Sequence, residues 1–181
     1  MLDYNSLVMA KKYDVKWLDI VSPKIDAETY IKTSILPAKS ELSKNFESYN
    51  PKMSIIDKIK EIIKSKNEKF MVVAFGASWC PDCNRNIPRM MKIYDVIKDP
   101  GFNVYYIGGI KTKPLTQREP GTYVWAVPPS PVETNDRKFD IQKIPTFFIF
   151  DKQGNCIGKI VENPEKTGTL EGDLFEIFSE M

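Results

Sequence analysis

From residue 50 onward, apolar positions follow two patterns, one typical of amphipathic helices and one typical of buried strands. The spacing of isoleucines predicts a helix with one apolar face, formed by Ile55, Ile56, Ile59, Ile62 and Ile63. This helix is expected to begin at Asn50–Pro51 and to end at Lys66-Asn67-Glu68. The continuous apolar run Phe70–Phe75 predicts a strand buried on both faces. A helix followed by a strand of this kind indicates an α/β domain.

The next segment repeats helix and strand. The helix after Cys80 has a broad apolar face, for which the spacing predicts Ile87, Met90, Met91, Tyr94 and Ile97, with Ile93 and Val96 toward its edges. Pro88 lies inside this helix and is expected to kink it. A second buried strand is predicted at 102–107, so that strand, helix and strand form a right-handed βαβ unit with a parallel sheet.

The C-terminal part of the chain begins with a proline-rich segment from 111 to about 136. This segment carries Tyr123 and Trp125, and it predicts a long loop that either selects substrates or is an inert surface excursion. Asp136–Gln142 predicts a helical turn. The last predicted elements are a strand at 145–150, a turn at 151–154, an antiparallel strand at 155–161 and an amphipathic helix at 169–181.

Residues 1–50 mix polar and apolar positions and predict two short helices. The first follows Ser22-Pro23 and the second follows Pro37. Their expected apolar faces are Ile25, Tyr30, Ile31 and Ile35 in the first, and Leu42, Phe46 and Tyr49 in the second. We interpret 1–50 as a helical extension that braces a domain at 51–181, with a partner-docking arm as the alternative.

The composition limits the classes of partner and the cellular compartment that we expect for this protein. The chain has 181 residues, a hydrophobic fraction of 42% and a formal net charge of +2, so it predicts a globular protein with no nucleic-acid partner. No apolar run reaches the length of a membrane span, and no signal peptide is visible, so we expect a cytoplasmic protein without a membrane partner. The chain has no histidine, which excludes histidine-based acid–base, nucleophilic and metal chemistry.

The stretch Trp79-Cys80-Pro81-Asp82-Cys83 is the most informative in the chain. Its two cysteines can close a small disulfide ring, and the free N–H groups at a helix start stabilise a thiolate, which is the form that attacks disulfides. Structural zinc needs four Cys or His ligands, and Cys156 is the only further cysteine. Two alternatives stay open: a zinc or iron–sulfur site shared between two chains, and a structural disulfide. We expect Cys156 to be a small buried residue on a strand.

Four features in a fixed order resemble the thioredoxin family over roughly residues 52 to 181. They are Trp79-Cys80-x-x-Cys83, Pro88 eight residues after Cys80, Ile144-Pro145-Thr146 at the start of a strand, and a glycine turn at Gly154. The resemblance implies the α/β thioredoxin fold, with a central mixed sheet flanked by helices. In this chain an N-terminal, mainly helical extension and an insertion at about 111–136, before the cis-proline, would be added to that fold.

The resemblance also implies residue roles. Cys80 would be the nucleophile that attacks a substrate disulfide, and Cys83 would resolve the mixed disulfide. The Ile144–Pro145 pair would face the cysteines and bind substrate backbone, and a proline favours a cis bond there. The expected substrate-binding residues are Trp79, Pro81, Asp82, Ile144 and Pro145. No metal and no cofactor are expected beyond the redox-active Cys80–Cys83 disulfide.

Three departures from the family pattern affect the mechanism. Ala74 stands where thioredoxins have a buried aspartate that moves protons, so Asp82, Glu133 or water would have to replace it. Pro81-Asp82 replaces Gly-Pro between the cysteines, as in small cytosolic thioredoxin-related proteins that reduce a narrower set of substrates. The Asp82 carboxylate should disfavour a Cys80 thiolate, while the helix start favours it; Arg85 and Arg89 either favour it too or are simply solvated. The segment before Pro145 is longer than in thioredoxin.

These observations predict a thioredoxin-like protein-disulfide reductase. Its partners would be disulfide-containing proteins or small molecules and an external reductase that recycles the cysteine pair. Glutathione is less expected as a direct substrate, because glutaredoxins usually have valine where this chain has Ile144. Two further functions stay open: a disulfide oxidase or isomerase, if the protein is exported, and a binding module that the cysteines switch.

Overall fold

A four-stranded mixed sheet flanked by helices forms the centre of the protein in the computed structural model, which describes residues 13–34, 38–113 and 126–181. The helices are α1 (Ala27–Thr33), α2 (Ala38–Ser48), α3 (Met53–Lys66), α4 (Pro81–Ile97) and α5 (Leu170–Ser179). The strands are β1 (Phe70–Phe75), β2 (Phe102–Ile107), β3 (Lys111–Thr112), β4 (Ala126–Val127), β5 (Thr146–Phe150) and β6 (Cys156–Val161). The α/β class expected from the sequence is confirmed.

The strand order of the central sheet is β2-β1-β5-β6. β1 and β2 are parallel, with Phe70 opposite Phe102, so the predicted βαβ unit around α4 is confirmed. β5 runs antiparallel to both of its neighbours, β1 and β6. β3 and β4 form a separate two-stranded ribbon in the region predicted to be a loop.

Aromatic side chains cover both faces of this sheet. On one face, Phe178 of α5 stacks on Phe70 with a centroid distance of 3.7 Å. On the other face, Trp17 meets Phe150 edge-to-face at 5.6 Å, and Phe139 meets Phe148 in the same way at 5.8 Å. Strands covered on both faces need apolar side chains at successive positions. This explains why β1 and β5 are nearly continuous apolar runs.

The N-terminal segment contacts both edges of the sheet. Lys16 pairs with Asn155 beside β6, and Ile25 pairs with Tyr106 on the free edge of β2. The Ile25 and Tyr106 backbones exchange two hydrogen bonds of 2.9 Å each. These contacts satisfy backbone groups that an open edge would expose. The helices predicted in this segment are present as α1 and α2, but Ile25, which was expected on the first of them, lies before α1 in the pairing with Tyr106. The division of the chain at residue 50 stays a prediction.

Glu133 ties the same N-terminal segment to the chain before β5. Its side chain is 1% exposed, and one carboxylate oxygen accepts hydrogen bonds of 2.8 Å from the backbone N–H groups of Val21 and Ser22. The other oxygen accepts a hydrogen bond from the Ser22 hydroxyl. The sequence suggested Glu133 as a proton-transfer group for the cysteines. Its carboxylate instead anchors the N-terminal segment.

Two sequence predictions about helices need correction. α3 begins at Met53 after an N-cap at Lys52, and not at Asn50–Pro51. On α4, Ile93 is fully buried and Tyr94 is 41% exposed, the reverse of the prediction, because α2 packs along α4 and widens the arc that it buries. The helical turn predicted within 136–142 is present as one hydrogen-bonded turn, in which the backbone oxygen of Asp136 accepts hydrogen bonds from the N–H groups of Phe139 and Asp140. It ends at Asp140, whose φ of 48° is incompatible with a further helical turn.

Ile35, Tyr123 and Trp125, which the sequence analysis placed on a helix and in the proline-rich loop, lie outside the described residues. Within the described ranges, no helix is both long enough and apolar enough to cross a membrane.

Candidate active site

Cys80 is the N-cap residue of α4, directly after the loop that follows β1. Its backbone is extended, with a φ of −94°, and Pro81 occupies the first turn of the helix, where a missing N–H costs nothing. The Cys80 sulfur accepts a hydrogen bond of 3.3 Å from the backbone N–H of Cys83. The sulfur therefore takes the capping position in which a helix start stabilises negative charge.

The two thiols have opposite acidities. The pKa of Cys80 lies below that of an ordinary thiol, chiefly because the side chain of Cys83 forms a hydrogen bond with its sulfur, and the N–H of Cys83 adds to the effect. Burial and the Asp82 charge oppose this shift. Burial raises the pKa of Cys83 far above the usual range, and the neighbouring Cys80 raises it further. At neutral pH, Cys80 is thus the more acidic thiol and Cys83 is held as S–H.

A cis peptide bond joins Ile144 and Pro145 at the start of β5. The Cys80 thiol donates a hydrogen bond of 3.3 Å to the carbonyl oxygen of Ile144, across a long separation in sequence. Pro145 in turn accepts a hydrogen bond of 2.7 Å from the N–H of Glu162. The structure therefore brings together Cys80, Cys83, Ile144 and Pro145. Pro128–Pro129 is a second cis bond, which the sequence analysis missed.

Trp79 lies at the surface beside the cysteines, and its side chain is 48% exposed. Its indole N–H donates a hydrogen bond of 2.7 Å to the carbonyl oxygen of Ile110, so the ring is held in one orientation. Pro81 is also exposed. An exposed, fixed aromatic ring next to a reactive thiol can contact a bound chain without losing much conformational entropy.

Asp82 forms an ion pair with Arg85 one turn further along α4. Arg85 also donates a hydrogen bond of 2.9 Å to the side-chain oxygen of Asn163. Arg89 instead lies over the ring of Tyr49, at 5.1 Å from its centroid. The arginines thus bind other groups, and the Cys80 pKa is lowered by hydrogen bonds from Cys83 and, to a smaller extent, from the backbone of Asp82.

All three cysteines are free thiols in this structure. Cys156 is 6% exposed, and burial raises its pKa to about 11, as suits a small buried residue on a strand. Its thiol donates a hydrogen bond of 3.4 Å to the carbonyl oxygen of Gly158. In the part of the chain that the structure describes, no group of three or more Cys, Asp or Glu side chains is arranged to hold a metal ion.

Sequence reasoning missed one neighbour of the cysteines, Tyr30 of α1. Its ring is 3% exposed and lies against Gly76 and Gly108, where β1 and β2 end. Cys80 and Cys83 both contribute to raising its pKa, which places it within electrostatic reach of the pair. The apolar spacing around Tyr30 indicates only that it is buried, because the contact joins segments far apart in the chain.

We expect Asp82→Asn to lower the pKa of Cys80 further. The Asp82 charge raises this pKa, and its removal also leaves Arg85 unpaired close to the helix start. Alkylation by iodoacetamide requires the thiolate, so the midpoint of its pH profile should move to lower pH by a small amount. Asp95→Asn is the matched control, because it removes one exposed charge from the far end of the same helix. Equal shifts in both variants would mean that only net charge matters.

The geometry described above agrees with a comparison against known families. The family model described as "Thioredoxin-like domain" matches residues 56–162, a range that includes β1, α4, both Cys80 and Cys83, and the cis-proline. The chain belongs to the thioredoxin-like family. The mixed sheet flanked by helices is the fold of this thioredoxin-like protein, as its sequence implied.

The individual relatives share only a quarter to a third of their aligned residues with this chain. The thioredoxin-like chain is 34% identical over 104 residues to "Probable nucleoredoxin 3" of Oryza sativa subsp. japonica, a match that covers 54% of this chain and 22% of the relative. It is 24% identical over 118 residues to "Thiol-disulfide oxidoreductase ResA" of Bacillus cereus, covering 64% of this chain and 67% of the relative. The match to the rice protein therefore spans only about a fifth of that protein's length.

Two solved structures share the fold over nearly the whole chain. A Pseudomonas aeruginosa protein of unknown function has a TM-score of 0.63 at 13% identity, covering 92% of this chain and 98% of its own. An HIV epitope scaffold has a TM-score of 0.62 at 13% identity, with 92% and 99% coverage. At this identity the likeness concerns the fold alone.

Proposed function

We propose that this protein is a thiol–disulfide oxidoreductase that works as a disulfide reductase. The observation that carries the proposal is the position of the Cys80 sulfur, which caps α4, has a lowered pKa and contacts the carbonyl oxygen that precedes cis-Pro145. Relatives named as a thiol–disulfide oxidoreductase and a nucleoredoxin support redox chemistry of this class.

The proposed reaction has two exchange steps. The Cys80 thiolate attacks one sulfur of a substrate disulfide, a bond forms between them, and the other substrate sulfur leaves and takes up a proton. Cys83 then loses its proton, its sulfur bonds to Cys80, and the second substrate thiol is released. The substrate disulfide has gained two electrons and two protons, and the Cys80–Cys83 pair is oxidised. An external dithiol reductase would have to return the pair to its reduced state.

The exposure of the two sulfurs supports this order of events. Cys80 is 6% exposed, whereas Cys83 is fully buried. Of the two sulfurs in the pair, Cys80 is therefore the one that a substrate meets first, and Cys83 reacts with a sulfur already attached there. Cys83 in its S–H form does not compete for the substrate.

The surface around Cys80 supports binding of an extended polypeptide segment. We propose that Trp79 and Pro81 contact substrate side chains, and that the backbone at Ile144–Pro145 pairs with substrate backbone. Asp82 adds a carboxylate that Arg85 partly neutralises. A reductase of this kind needs a compartment that keeps thiols reduced, so we propose the cytoplasm as its location.

The reduction potential of the Cys80–Cys83 pair tests the direction of the reaction. The fluorescence of Trp79 would be followed in a dithiothreitol redox series, with Cys83→Ser as the control that cannot form the internal disulfide. We expect a two-electron transition near about −270 mV, where thioredoxin lies. A value near about −120 mV would indicate a disulfide oxidase instead. A wild-type signal identical to that of Cys83→Ser would favour a binding module.

A further inference from the structure

In the proposed reaction, ionisation of Cys83 is less favourable than ionisation of Cys80. To release the product it must become a thiolate, yet burial and the nearby Cys80 both oppose its ionisation. Position 74, on the strand that leads to the site, is an alanine. The carboxylates suggested from the sequence are bound elsewhere, Asp82 to Arg85 and Glu133 to the N-terminal segment.

The Tyr30 hydroxyl and the Cys83 sulfur both lie beside Gly76. A Cβ atom on Gly76 would be 3.0 Å from the hydroxyl oxygen of Tyr30 and 3.4 Å from Sγ of Cys83. Because glycine has no side chain, the hydroxyl, the sulfur and Cδ1 of Ile87, which is 2.3 Å from the same Cβ position, can all approach the backbone there. The ring of Tyr30 reaches this place because Gly108, on the neighbouring strand end, also leaves room, with a Cβ position 3.3 Å from the ring.

The position of Tyr30 is fixed by the fold. Asp26 caps α1 by accepting a hydrogen bond of 2.7 Å from the N–H of Thr29, and the Ile25–Tyr106 pairing attaches the start of α1 to the sheet edge. The Tyr30 ring also contacts the Tyr106 ring, with a centroid distance of 5.5 Å. These contacts hold the hydroxyl beside Gly76 without help from the active-site loop.

We propose that the Tyr30 hydroxyl is a positioning group that donates a hydrogen bond, directly or through one water, to the Cys83 sulfur as it ionises. This inference rests on the proposed function and assigns a residue of the N-terminal segment to its second step. A hydroxyl can donate to a thiolate, and hydrogen bonds to a charged acceptor are stronger than neutral ones. Burial raises the pKa of Tyr30 itself, so the hydroxyl keeps its proton and stays a donor at any working pH.

The step balances without a further reactant. Cys83 gives up its proton, its sulfur forms a bond with Sγ of Cys80, and the bond between Cys80 and the substrate sulfur breaks. The departing thiolate takes up one proton, and the oxygen of Tyr30 keeps its own. Tyr30 thus lowers the free energy of the ionised Cys83 but is unchanged at the end.

Reaction with 5,5′-dithiobis(2-nitrobenzoate) separates the two steps. The first release of the coloured 2-nitro-5-thiobenzoate reports the attack by Cys80, and the second reports resolution by Cys83. All proteins would carry Cys156→Ser, so that only the pair reacts. In Tyr30→Phe we expect an unchanged first phase and a second phase about ten-fold slower, since hydrogen bonds to charged groups are typically worth such a factor. The pH profile of the second phase should move to higher pH.

Tyr106→Phe is the matched control. It removes a hydroxyl from the ring that contacts Tyr30, and this hydroxyl is buried without a hydrogen-bond partner among the described residues. Both phases should match the parent protein in this variant. Equal second-phase rates and pH profiles in the parent, Tyr30→Phe and Tyr106→Phe would overturn the role of Tyr30. Release of a single equivalent by the parent itself would overturn the proposed roles of the two cysteines, and with them this inference.

Discussion

Replacing Cys80 with serine is expected to reduce disulfide-reductase activity by at least about a thousand-fold, because the reaction then lacks its nucleophile. Cys83 cannot take over, since it is fully buried and its pKa is raised far above the usual range. Reduction of insulin, followed by the precipitation of its B chain, measures this loss. The Cys80→Ser protein should remain folded, because serine can still accept the capping hydrogen bond from the N–H of Cys83.

Cys83→Ser should give a different defect. The first exchange at Cys80 proceeds, but no second sulfur resolves the intermediate, so a covalent complex with the substrate accumulates and can be seen by non-reducing electrophoresis and mass spectrometry. Cys156→Ser is the matched control, a buried cysteine outside the pair that should leave activity unchanged. Complexes that form through Cys83 in a Cys80→Ser protein, or none through Cys80, would contradict the proposed order of attack.

Much of the fold could be predicted from the sequence because local patterns determine it. β1 is covered on both faces, so its apolar run identifies it without any knowledge of the partners. The first helical turn after Cys80 could be placed for a similar reason, since it follows that strand and begins with a proline.

The predictions that failed concern features that depend on tertiary contacts. The buried arc of α4 includes Ile93 because α2 packs along this helix, and the spacing within α4 contains no information about α2.

The same limit applies to the candidate active site. Cys80, Cys83 and the Ile144–Pro145 bond could be identified from motifs, whereas Tyr30 could not. Its contact with the site requires α1 to attach to the edge of β2 and requires both Gly76 and Gly108 to leave space for the ring. Glu133 is the opposite case. Its carboxylate suggested a role in proton transfer, but in the structure it accepts hydrogen bonds from the backbone of Val21 and Ser22.

Phe178→Ala is expected to cause the largest loss of stability among single changes away from the cysteines. Phe178 is fully buried, stacks on Phe70 and meets Phe102 edge-to-face, so truncation leaves a cavity between α5 and the sheet. Changes of this type cost about 3–5 kcal/mol in the free energy of unfolding. In a chain of this size such a loss lowers the melting midpoint by about 10 °C.

Phe175→Ala on the same helix provides the control, because that ring is only partly buried and should cost about 1 kcal/mol. Phe178 contacts β1 at its first residue, while the cysteines follow its last residue. The iodoacetamide pH profile of Cys80 should therefore stay unchanged in the folded Phe178→Ala protein. A shifted profile at a temperature where the variant is still folded would show instead that the packing of α5 and the acidity of Cys80 are coupled. The hydrogen bonds from Cys83 would then not be sufficient to set that acidity.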